Sequence, residues 1–282
     1  MSPSAAIDVN DTKVAPSGTT ASSIRLDGKV ALVTGSSRGI GRGIALHLAA
    51  CGANVIINYV KSATAAEEVV AEIKAMGRKS VAIQADVSIF EDIQRLFDEA
   101  ERAMGKLDIV MSNSGTECFA DLEETTPELY DRVMNINTRG QFFVAQQGYM
   151  HMNQHGRIIL MSSVAAHLRG LKGHSIYSAS KAAIEAMVRS FPDDFAPKKV
   201  TVNAIAPGGV ATQMAVENAY RYTPGGKPDM SLDDIYDGLA SICPLGRFGL
   251  PVDIAKTVAF LASDDSEWVN GQTIGLTGGS RC

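Results

Sequence analysis

The chain has 282 residues, 45% of them hydrophobic and 20% charged, with a net charge of -5, the balance of a globular protein with a sizeable core. With no basic block to neutralise phosphates, that charge argues against nucleic-acid binding, and no apolar run approaches the roughly 20 residues that span a bilayer. Cys51, Cys118, Cys243 and Cys282 are scattered without CxxC spacing, which argues against a zinc or other metal site and a disulfide frame, and suits free thiols in a reducing cytosol.

The opening "MSPSAAIDVNDTKVAPSGTTASS" lacks the basic and apolar regions of a secretory signal and reads as a disordered leader over residues 1–25. From there to residue 282 strand and helix signals alternate. "KVALVTG" is a buried strand, "GIGRGIALHLAACG" a helix stopped by Gly52, and "NVIINYV" a second strand. "TAAEEVVAEIKAMG" is a helix, "SVAIQADV" the third strand, "FEDIQRLFDEAERAMG" a helix and "LDIVMSNSG" the fourth strand. A long helical region carries "YDRVMNINTRGQFFVAQQGYMHM", and "GRIILMSS", "KKVTVNAIAPGG" and "QTIGLTGG" complete seven strands. Alternation at this spacing predicts a single α/β domain with a doubly wound, Rossmann-type parallel sheet and helices on both faces.

Two stretches stand out chemically. "TGSSRGIG" sits where the first strand hands over to a helix. Gly35 permits the tight turn, and Gly39 and Gly41 let a diphosphate approach the unpaired N–H groups of the helix start. "IYSASKAAIEAM" places Tyr177 four residues before Lys181, hence on one face of a helix.

The chain resembles the short-chain dehydrogenase/reductase family from about Leu26 to its end, through "TGSSRGIG", "ADV", "SNSG", the Asn of "NINTRG", "SS" before "YSASK", and "APGGVAT". Within it "RLDGKVALVTG", "NTRGQFFVA", "KKVTVNAIAPGG" and "SEWVNG" are similar to the fungal polyhydroxynaphthalene and versicolorin-type reductases. The resemblance implies Tyr177 as general acid, its pKa lowered by Lys181 together with the charge of the oxidised nicotinamide. It implies Ser163 as the donor that polarises the carbonyl, in preference to Ser162, and Asn137 as the residue that bends a helix and holds a water relaying protons.

The same resemblance implies a cofactor site of Gly35, Arg38, Gly39, Ile40, Gly41, Asn58, Tyr59, Lys61, Ser62, Asp86, Val87, Asn113, Gly115, Tyr177, Lys181, Pro207, Gly208, Val210 and Thr212. Asp86 is expected at the adenine amine, Asn113 and Gly115 on the adenosine side, and Pro207 to Thr212 around the nicotinamide amide. Forms selective for NADH carry an acid after the second strand, whereas "VIINYVKS" has none. Arg38 and Lys61 supply positive charge suited to a 2′-phosphate, which predicts NADP(H).

The segment 213–245 is expected to be a substrate lid. Tyr222 should stack on a flat aromatic ketone, with Met214 as another wall and Ile242 where the resembled reductases tend to carry Trp, leaving a roomier pocket. Pro192 falls inside the helix of Tyr177 and predicts a kink or an early end, with an altered contact in a homodimer or homotetramer. The resulting expectation is an NADPH-dependent reductase of an aromatic polyketide. A steroid or alicyclic ketone reductase, a repurposed cyclase or isomerase, and a nucleotide sensor stay open beside it.

Overall fold

Alternate residues of the first two strands face opposite ways, and that period of two builds two cores at once. Ala31 and Val33 of β1 (Val30–Val33) and Val55 and Ile57 of β2 (Asn54–Tyr59) belong to one buried cluster, whereas Leu32 and Ile56 belong to the other. The computed structural model describes residues 24–280 except Gly170, and only the main chain of 214–216. Residues 1–23 of the expected leader, the side chain of Met214, and Cys282 lie outside the described residues.

Helices α1 (Gly39–Ala50) and α2 (Ala63–Ala75) cover the first face, β3 (Ser80–Gln84) forms the sheet edge, and α3 (Phe90–Met104) crosses to the second face. Ile93, Leu96, Phe97 and Ala100 of α3 are buried at the spacing of one helical face. After β4 (Leu107–Ser112), the helical region expected as one piece is three. They are α4 (Pro127–Met134), a π-helical turn over Asn135–Arg139, and α5 (Gly140–His151). Then come β5 (Met152–Met161), α6 (Ser175–Phe195) and β6 (Thr201–Pro207). All pairings are parallel, in the order β3-β2-β1-β4-β5-β6-β7, with β7 at Thr273–Leu276. Chain direction across the sheet reverses between β1 and β4, the place where ligands bind beyond the strand ends in such folds.

Three elements differ from expectation. The lid is largely helical: α7 (Gln213–Asn218), a 3-10 turn Ala219–Tyr222 and α8 (Leu232–Ser241). Ser231 caps α8 by accepting from the Asp234 N–H at 3.1 Å, and Ile235 and Leu239, one turn apart, join Ala211, Ala219 and Phe248 in a small core. Helix α9 (Pro251–Ala262) has Pro at its first position and Asp253 accepting from the Leu250 N–H at 2.8 Å. Pro192 does not end α6, which runs three residues further. The Val188 carbonyl that loses its helical donor lies beside Gly271, whose missing side chain leaves room for it and for the Pro192 ring.

Among the described residues, no helix is long and apolar enough to cross a membrane, and no cluster of His, Cys, Asp or Glu could hold a metal. Cys51, Cys118 and Cys243 are buried thiols. Trp268, between α9 and β7, is 99% exposed and borders Pro192, Lys199 and Thr201.

Candidate active site

The turn from β1 into α1 leaves little freedom. Gly39 has φ +57°, which a β-carbon disfavours, and a Cβ on Gly41 would run into the Gly35 carbonyl and lie 2.5 Å from Asn113 Nδ2. That amide donates to the Thr34 carbonyl at 2.9 Å, so the end of β4 is tied to the turn. Arg38, at the N-cap, makes no side-chain bond to the helix, and the first turn carries no acid. The leading N–H groups of α1 therefore suit a diphosphate. Arg38 is exposed at this end, Asn58 at the end of β2 bonds the turn, and the residues after it include the exposed Lys61 and the half-buried Tyr59 and Ser62, with no carboxylate from Asn58 to Ser62. This donor set fits a phosphorylated dinucleotide.

Several expected cofactor residues also brace the fold. Asn58 is fully buried; its Oδ1 accepts from the Gly35 N–H at 3.1 Å and its Nδ2 donates to the Ala85 carbonyl at 3.0 Å. It braces the turn, each polar end of its side chain having a protein partner. Asp86 Oδ1 accepts from both the N–H and the hydroxyl of Ser88, at 2.9 and 2.7 Å. Val87 is buried, with its carbonyl against Gly140, and the half-buried Ile40 packs on the first core. Gly115, expected on the adenosine side, adjoins Asn137 and the Lys181 ammonium. Beyond β6 the Gly208 N–H donates to the Leu276 carbonyl at 3.0 Å and Val210 pairs with Gly249. The Thr212 methyl stands 3.6 Å from where a Cβ on Gly39 would be.

At the end of β5 the Ser163 hydroxyl accepts from the Ala165 N–H at 3.2 Å and stands close enough to the Tyr177 phenol to bear on its acidity. Ser162, its neighbour, points into the protein, donating to Glu185 at 3.1 Å. Lys181, 2% exposed, donates to the Met161 carbonyl at 2.9 Å and holds its Nζ 5.6 Å from the centre of the Tyr177 ring. Burial without a carboxylate partner pulls Lys181 down to about 7. Dehydration, reinforced by the charge of Glu117, pushes Tyr177 up, while Ser163 pulls it down. Without the cofactor's charge, burial therefore leaves the phenol raised. Asn137, in the π-helical turn, donates to the Thr116 carbonyl at 2.9 Å and to Ser180 at 3.1 Å, and accepts from the Thr116 N–H at 2.8 Å. It sits where the π-helical turn joins α4 to α5 and fastens the loop after β4 to α6.

Tyr222 is not a free wall. Its hydroxyl donates to Glu117 Oε1 at 2.5 Å and lies 3.0 Å from His174 Nε2. Its ring meets Phe119 edge-on, centroids 5.6 Å apart, and His174 lies between Phe119 (4.3 Å) and Tyr177 (4.8 Å). Burial pushes Tyr222 and Glu117 up and brings His174 down to about 4. Ile242, expected at the substrate, is exposed at the end of α8. The sequence does not announce Glu117, Phe119 or His174, although His174 stands three residues before Tyr177 and Glu117 two after Gly115.

The profile of a family described as enoyl-(acyl carrier protein) reductase matches residues 35–281. The chain is 58% identical over 255 residues to a hydroxynaphthalene reductase-like protein of Metarhizium robertsii, covering 90% of this chain and 96% of that one. It is 54% identical over 252 residues to a tetrahydroxynaphthalene reductase of Pestalotiopsis fici, covering 89% and 91%. A short-chain dehydrogenase of Burkholderia cenocepacia solved with NADP superposes with a TM-score of 0.82 at 35% identity, over 92% of this chain and all of the other.

Proposed function

The chain belongs to the short-chain dehydrogenase/reductase family, and from that premise we propose that it is an NADPH-dependent carbonyl reductase of an aromatic polyketide, such as a polyhydroxynaphthalene or hydroxyanthraquinone. One observation carries the reading: Ser163 and Tyr177 stand beside an aromatic cluster in which His174 meets both Tyr177 and Phe119. A flat ring gains dispersion and quadrupole contact there, about 0.5–1.5 kcal/mol beyond area burial.

The α1 amides with Arg38 and Lys61 would hold the diphosphate and 2′-phosphate, and Pro207 to Thr212 the nicotinamide end. Bound NADPH supplies the hydride delivered to the carbonyl carbon. Ser163 donates to the carbonyl oxygen and polarises it, and Tyr177 passes its phenolic proton to that oxygen. Lys181, positioned by the Met161 carbonyl, binds the ribose hydroxyls and favours the phenolate left behind. Helix α6 and the lid keep water from the reacting atoms. The same reading makes the enzyme a cytosolic homodimer or homotetramer, supported by the exposed Phe142 and Met150 on α5.

The test is NADPH oxidation with fused-ring hydroxylated ketones against steroid and aliphatic ketones. The reading expects the fused-ring compounds to be preferred. Preference for an alicyclic ketone, or conversion of the aromatic compound without NADPH oxidation, would overturn it.

A further inference from the structure

The phenol of Tyr222 occupies a site that is itself shaped for a phenol. Its hydroxyl has a carboxylate acceptor in Glu117 and an imidazole nitrogen in His174, and its ring has an edge contact with Phe119. The lid thus presents an aromatic hydroxyl to the chamber that holds Tyr177. Glu117 is firmly placed, because both backbone polar groups of the preceding Thr116 are bonded to the Asn137 amide. Asn218, Glu217 and Arg221 of the lid also bear on the carboxyl.

We propose that Glu117 is the residue by which this enzyme selects ketones carrying a second, phenolic or enolic hydroxyl. The incoming ring displaces Tyr222, and its remote hydroxyl takes over the bond to the Glu117 carboxylate while its carbonyl lies at Ser163 and Tyr177. The proposal rests on the aromatic-ketone reading above.

The selection follows from the cost of an unpartnered acceptor. Glu117 is half-buried, and its carboxyl is held above its ordinary range by dehydration. Such a group demands a donor in every state of the lid. While Tyr222 is seated, the phenol provides it. Once a ring has displaced Tyr222, a hydroxyl on that ring restores the lost donor. A methoxy group or a bare C–H leaves the dehydrated carboxylate one donor short, which disfavours binding by about tenfold to a hundredfold. His174, buried and neutral, adds a second polar contact to the same hydroxyl and lies against Tyr177, so the two recognition points belong to one chamber.

The experiment compares a hydroxylated fused-ring ketone with its O-methyl ether at saturating NADPH, in the wild type, Glu117→Gln and Glu117→Val. The wild type is expected to prefer the free phenol by at least about tenfold in kcat/KM, mostly through KM. Glu117→Val should reduce that preference below about threefold, with Glu117→Gln between them. In the wild type the preference should decline as acid protonates the carboxyl, and in Glu117→Val it should be flat with pH. NADPH affinity, measured by calorimetry, should be the same in all three. If Glu117→Val does not fold, Glu117→Gln and the wild-type pH series decide the matter.

Equal use of phenol and ether by the wild type, or discrimination retained without the carboxylate, overturns the role of Glu117 and leaves the aromatic-ketone reading standing. Reduction of neither compound, with aliphatic ketones still reduced, overturns both.

Discussion

The Arg38 guanidinium at the entrance to α1 meets the side-chain carbonyl of Gln213 in the first turn of the lid, Nη1 to Oε1 3.3 Å. The Gly-rich turn and the lid are therefore in direct contact, and the same cation stands beside the helix end suited to phosphate.

Replacing Arg38 and Lys61 together by neutral residues should raise KM for NADPH at least about tenfold more than KM for NADH, since only NADPH brings the extra phosphate to a charge-assisted bond. The difference should shrink at high salt, where exposed charges are screened. Steady-state kinetics with both cofactors checks this, and equal effects would return cofactor choice to other residues.

Tyr177→Phe removes one oxygen and keeps the ring against His174. Turnover should fall by at least about 100-fold, the usual scale for losing a positioned general acid, with NADPH binding nearly intact. Lys181→Ala should damage both, because that ammonium is buried under the Tyr177 ring and reaches toward Gly115. Binding calorimetry beside turnover separates the two patterns.

Gly41→Ala places a methyl group against the Gly35 carbonyl and the Asn113 amide. Overpacking of backbone should cost about 1–3 kcal/mol and lower the melting temperature, with a loss of cofactor affinity. Gly275→Ala is the control, since a Cβ there meets nothing within 4 Å. Thermal melts of both variants give the comparison.

His174 gives a pH signature. Burial holds it down to about 4, against an ordinary value of about 6.5. Between those values the unfolded chain binds a proton that the folded one does not, so stability rises with pH there and is lost as pH falls from about 6.5 to about 4. Glu117, shifted upward beside Tyr222, acts in the opposite direction, and Arg221 and Glu217 stand near it. Denaturant melts of wild type and His174→Gln across this range isolate the histidine: the variant should lose less stability in acid. Parallel curves would assign the acid loss elsewhere.

Much of this fold is legible locally. Each strand is a short apolar run closed by a turn residue, and the Tyr177–Lys181 spacing alone puts both side chains on one face. What needs tertiary contact is not legible. The lid reads as loop because its apolar residues are sparse, yet Ile235 and Leu239 close a small core with Phe248 after the helix and Ala211 and Ala219 before it. Pro192 signals a break, and a glycine far along the sequence makes room for the carbonyl it frees. Asn58 reads as a ligand-facing polar residue at a strand end, and its three-sided brace appears only once β1 and β3 flank it. Glu117 and His174 are separated by the whole of β5, so nothing in their own surroundings announces that Tyr222 joins them.

Trp268 is the only tryptophan of the chain, and its near-complete exposure makes it an optical reporter with a defined blind spot. It borders Thr201, where β6 begins, whereas the nicotinamide end of the site lies where β6 finishes at Pro207. At about 3.3 Å per residue these ends stand roughly 20 Å apart. The indole should emit at the wavelength of tryptophan in water and hold that wavelength whatever enters the chamber around Tyr177. A shift to the blue would mean that another surface has come down over this face, so emission spectra recorded on dilution read out association separately from catalysis.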